Sequence, residues 1–182
     1  NMEDATDRMS AVFGNDQSPL EISTPDGAFN SAFNSGWSAA GVNPVFVASF
    51  PELVDDTYAT IGLDGPASLV EGAADPSLVE DAAQQLSPYF LTEGATSVAS
   101  NTLTGSSWYI LNTATNGLPD ADLKVLILQI TTSGEVTGVL NYQVFPLGVG
   151  ADEIQKSSTF AAGIAVPGCT DPMACNYNAL AT

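Results

Sequence analysis

The residues in this chain best equipped for chemistry are its carboxylates, its two cysteines and a few aromatics. Twenty-one side chains are acidic, only Arg8, Lys124 and Lys156 are basic, and there is no histidine. The commonest general base and the commonest nitrogen ligand for metals are therefore both missing. Paired carboxylates could serve a glycosidase, but acids are scattered along the whole chain and no pair is singled out by spacing. An enzyme is not expected. The oxygen-rich clusters suit a hard cation better. Asp120-Ala121-Asp122, Asp55-Asp56, and Asp171 with Asn176 and Asn178 all offer such ligands. Asp120, Asp122, Asp171, Asn176 and Asn178 are the best placed for calcium. None lies in the twelve-residue loop with a closing glutamate that marks a dedicated site, and the ordinary reading of such pairs is a solvated turn. No cofactor is required, and calcium is the ion this ligand set would suit.

Trp37, Trp108 and Tyr109 are the candidates for a carbohydrate platform, since aromatic faces on β-rich modules stack against sugars. The competing reading is structural. Trp108 and Tyr109 are neighbours on one predicted strand and point to opposite faces, so at least one of them fills the core. Cys169 and Cys175 are the only cysteines. With no histidine they cannot complete a zinc site, and no cation lies near them in sequence to activate a thiolate. A disulfide between them would close a small loop, worth about 2 kcal/mol in the chain-entropy model, and points to an oxidising compartment.

The elements that must position these residues are read from period-two alternation and turn residues. Arg8–Phe13 and Pro19–Ser23 read as strands separated by Gly14-Asn15-Asp16, and Thr57–Leu63 as another, closed by Asp64-Gly65-Pro66. Lys124–Thr131 is predicted to be a long buried strand with Val125–Ile130 in the core. It runs through a tight turn at Thr132–Glu135 into a returning strand at Val136–Phe145. Ser107–Leu111 and Thr159–Val166 complete the set. Helix is scarce: Asp75-Pro76 supplies an N-cap and an N1 proline for one short helix through Ala83, and Ser38–Gly41 suits a further turn. The predicted fold is all-β, an antiparallel sandwich of Greek-key or jelly-roll type. It spans residues 1–165, followed by a Cys/Asn/Asp-rich segment over 166–182.

Composition narrows the function. A hydrophobic fraction of 45% suits a globular core, while charged residues make up only 13% and the net charge is −18. Nucleic acid and anionic membrane surfaces both require Lys and Arg, so neither is expected as a partner. No run of 18 apolar residues is present to cross a membrane. A saline medium would screen the self-repulsion. The opening at Asn1 suggests a piece of something longer, and no Asn-x-Ser/Thr acceptor occurs.

Gly168-Cys169-Thr170-Asp171-Pro172, followed by Ala174-Cys175-Asn176-Tyr177-Asn178 and Ala181-Thr182, resembles a motif of very large secreted proteins of marine bacteria and some algae. In that family the motif usually continues into an acidic stretch and a third cysteine, and often recurs in tandem between folded domains. This sequence stops before the third cysteine, so Cys169 has two candidate partners, Cys175 and a cysteine outside the chain. Tyr58–Pro66 and Gly105–Tyr109 are similar to parts of a β-rich domain in such surface proteins. The resemblance implies a secreted or cell-surface location. The expected role is a self-associating structural module of a filament, appendage or matrix. The alternative is an adhesive or polysaccharide-binding module, and the exposure of Trp37 and Trp108 separates the two.

Overall fold

The structure, a computed structural model, describes residues 2–163, 169 and 171–175. The described residues form nine strands: β1 (Arg8–Gly14), β2 (Leu20–Ala28), β3 (Tyr58–Ala59), β4 (Ser77–Val79), β5 (Ala95–Ser100), β6 (Ser106–Tyr109), β7 (Leu128–Gln129), β8 (Val136–Phe145) and β9 (Ile154–Ala162). The only α-helical segment among the described residues is the single turn α1 (Pro44–Val47), where Asn43 accepts from the Val45 N–H and proline occupies the first position. The protein is thus mostly antiparallel β-structure with little helix.

β8 is the spine of the seven-stranded sheet. Its sequence is rich in Val, Thr, Tyr and Phe, residues that fit a pleated surface. One flank of β8 is shared by two strands: β1 pairs with its C-terminal half, from Phe145 opposite Arg8 to Asn141 opposite Phe13, and β2 with its N-terminal half, from Val139 opposite Glu21 to Thr137 opposite Ser23. β1 continues through β6 to β4, and β2 continues to β5, so the sheet forks at β8. Asn141 holds the fork. It is 4% exposed, and its amide donates to the carbonyls of Phe13, Ser18 and Pro19 at 3.3, 2.8 and 2.9 Å. A buried amide so satisfied fixes where the two branches diverge. On the other flank β9 pairs with β8 over nine residues. Gly138 lies opposite Phe160, and a Cβ at that glycine would come within 2.6 Å of the Phe160 ring. The ring covers the position that glycine leaves open.

The main core joins residues of this sheet (Val12, Leu20, Ile22, Trp108, Leu140) to residues of the segments that cover it (Ile61, Leu86, Phe90). β3 pairs with β7 in a small second sheet. Beyond β3 the chain turns at Gly62, whose φ of +68° and close approach to the Asn116 carbonyl exclude a side chain. Asn116 then clips this turn to the next loop, donating to the carbonyls of Ile61 (2.7 Å) and Ala74 (3.0 Å).

Several sequence expectations are corrected. The helix predicted from Asp75 to Ala83 is instead β4 and a turn. Asp75 spends its side chain on the Ala67 N–H at 2.8 Å rather than on a helix terminus. Leu78 lies opposite Trp108 on β6 and packs against the core, so strand pairing overrides the capping signal. The strand predicted over Lys124–Thr131 contracts to β7, because this run is extended but bonds piecemeal: the Leu126 and Ile127 carbonyls accept from Gly62 and Thr60, and Thr131 accepts from Phe29. Its apolar residues are half-buried, with Leu126 41% exposed, rather than enclosed in the core. The hairpin predicted across Thr132–Glu135 does not form, since β7 pairs with β3 and β8 with β9. The strand predicted over Thr57–Leu63 is reduced to β3, and the last strand starts earlier than expected, at Ile154.

Candidate functional site

The predicted carbohydrate platform does not assemble. Trp108 is fully enclosed, donates its indole N–H to the Thr60 carbonyl at 3.0 Å, and stands edge-on to Phe90 with ring centroids 6.3 Å apart. Its ring has no face left for a ligand. Tyr109, next on β6, is half-buried on the opposite face. Trp37 is half-buried and packs against the same core as Trp108. All three are explained by packing and strand alternation.

The acidic clusters are mostly occupied by backbone donors. Asp120 accepts from the N–H groups of Asp122 and Lys124, both at 2.9 Å, and so closes its own loop. Asp122 lies 3.8 Å from the Lys124 ammonium in an exposed pair. Asp171 accepts from the Met173 N–H at 2.9 Å, while Asn176 and Asn178 lie outside the described residues. Among the described residues no group of three or more His, Cys, Asp or Glu side chains could hold a metal ion. Cys169, half-buried, and Cys175, exposed, are free thiols here rather than the expected disulfide. The Asp171–Ala174 turn lies between them, closed by the Ala174 N–H on the Asp171 carbonyl at 3.0 Å.

Two buried aspartates illustrate how a chain so poor in cations accommodates its acids. Burial raises the carboxyl of Asp56 above its ordinary value, with nearby Glu93 acting in the same direction. Hydrogen bonds from the Asn34 amide and the Ser31 N–H, both at 2.6 Å, oppose the rise without cancelling it. At Asp7 burial also pushes upward, but the N–H groups of Leu147, Glu3 and Asp4, together with Lys156, outweigh it and hold this carboxyl below the ordinary value. Both fix loops: Asp56 the 31–38 segment, Asp7 the N-terminus against Leu147. Their partners are structural groups, not an aligned acid–base pair.

One open part of the surface is largely apolar. Between the 123–130 segment and the face of the β8–β9 pair runs a trough of roughly 340 Å³. Met2, Met9, Val125, Ile127, Leu140, Tyr142 and Phe160 are among its lining residues. A second hollow of roughly 280 Å³ shares Ile127, Leu140 and Phe160 with it and adds Leu128, Ile130 and Val136. β9 borders the trough, and among the described residues its only strand partner is β8. Seven of its nine residues are exposed, all but Lys156 and Phe160. Sequence reasoning missed this surface because it assigned the 124–131 segment to the closed core. The available signal was the absence of any charged residue from Val136 to Phe145 and from Ser157 to Ala162. No protein-family model matches this chain, and no curated protein or solved structure matches it either.

Proposed function

We propose that the chain is an extracellular structural module of β-sandwich character that associates with copies of itself, as a subunit or repeat of a filament, appendage or surface matrix. It is not an enzyme on this reading, and it uses neither nucleic acid nor membrane as a partner. The observation that carries the reading is a flank left open by the described residues: a nine-residue edge strand beside an apolar trough, in a molecule of net charge −18. Proteins usually protect long edges with lysine, proline or a covering segment. β9 has one lysine and no proline. Burying this flank, where β8 and β9 carry a single charge at Lys156, against a like flank removes apolar surface from water while stranding few ions. The adhesive alternative loses support because Trp108 is enclosed and cannot stack on a sugar.

Electron microscopy of the native material is the test. Continuous filaments or sheets assembled from copies of the module support the proposal. Isolated particles that bind polysaccharide without assembling overturn it in favour of an adhesive role.

A further inference from the structure

We infer that two copies of this chain join through their β9 strands, antiparallel and centred on Ser158, extending the sheet across a two-fold axis. The inference rests on the self-association reading above and specifies the surface and register.

Three observations select this arrangement. First, length: among the free edges described, β4 has three residues and β5 six, whereas β9 has nine and alone borders the apolar trough. Nine residues span about 30 Å. A contact band of ordinary width along that edge buries on the order of 1,000 Å² over both copies, where specific interfaces begin. Second, charge: β8 and β9 together contain only one charged residue, Lys156, in a chain of net charge −18. Another exposed apolar patch, where Phe33 stacks on Phe50 at 3.7 Å beside Phe46 and Val54, adjoins Glu52 and Asp55. Two copies meeting there would bring acids together. Third, register: a two-fold centred on Ser158 places Lys156 opposite Phe160 of the second copy, a cation against an aromatic face. It also sets Ser157 against Thr159, Gln155 against Ala161 and Ile154 against Ala162. No like charges are directly opposed, and the two half-open Phe160 rings shield each other's troughs. Glu153 and Glu135 flank the two ends of the β8–β9 pair, so the joint should tighten as salt screens them.

Ser158 is exposed in the single chain, so changes there leave the fold intact. Facing Cα atoms in an antiparallel pair are about 4.5–5.5 Å apart, within the reach of a disulfide. Ser158→Cys, in a chain carrying Cys169→Ser and Cys175→Ser, should therefore oxidise to a covalent dimer. Ser158→Glu and Ser158→Lys should each weaken association at least tenfold, because like charges then face each other. An equimolar mixture of the two should restore it as a heterodimer. If the wild-type chain associates but Ser158→Cys fails to cross-link and the charge variants associate normally, this surface is wrong and self-association stands. If the wild-type chain does not associate at all, both fail.

Discussion

Trp108 and Phe160 are aromatic residues on strands of one sheet, yet one is wholly enclosed and the other half-open to solvent. Around Trp108 the sheet is covered. The Thr60 carbonyl accepts from the indole N–H, Phe90 meets the ring edge-on, and Ile61 and Leu86 are fully buried in the same core. Around Phe160 the described residues include Gly138 beneath the ring and an extended segment, residues 123–130, that lies beside β8 without pairing to it. The first region is finished by its own chain. The second joins apolar residues to an exposed strand edge, and it is this combination that the proposed self-association would use.

Mutation should expose this difference. Trp108→Ala should destabilise the single chain most, by about 3–5 kcal/mol, as expected for removing a large enclosed aromatic. A denaturation midpoint close to wild type would mean that the Trp108 region is not the closed core. Asn141→Ala should follow at about 1–3 kcal/mol, the usual cost of leaving buried carbonyls without donors. Because Asn141 sits at the fork, the lost stability should come with faster hydrogen exchange in both β1 and β2. Ile127→Ala, on the open flank, should cost only about 1–2 kcal/mol, below the range for a fully enclosed isoleucine. A loss as large as that of Trp108→Ala would show the trough to be closed in solution.

The two buried aspartates provide a subtler contrast, read from stability against pH. Asp7 has a folded pKa below the ordinary carboxylate value, so its contribution is present above that value and is lost as pH falls through the depressed one. Asp56 has a raised folded pKa, so its contribution is full below the ordinary value and declines as pH rises toward the raised one. Asp7→Asn should therefore flatten the acid limb of the stability profile. Asp56→Asn should remove a decline on the less acidic side. Measured melting profiles that shift in the same pH window for both variants would contradict the opposite environments assigned to them.

Much of the strand content was legible in the residues. β1 and β8 start and end within a residue of the predicted bounds, although burial along neither strand alternates strictly. What alternation cannot encode is the choice of partner. Val125–Ile130 is apolar at every position but Gln129, which fits a strand buried on both faces as well as it fits a segment covering one side of a core. Only the competition between β9 and this run for the flank of β8 decides, and β9 wins with nine paired residues. Asp75-Pro76 carried a sound helix signal that was overruled by Leu78 docking opposite Trp108. For the candidate surface, the aromatics misled, since β-strand cores use the same residues as sugar platforms. The uncharged stretches of β8 and β9 held the useful information.

The most direct measurement is sedimentation equilibrium of the wild-type chain from micromolar to millimolar concentration, in low and high salt. Reversible association that strengthens with both concentration and salt is the expected result. A sedimenting mass equal to the 18.7 kDa single chain under every condition would contradict self-association.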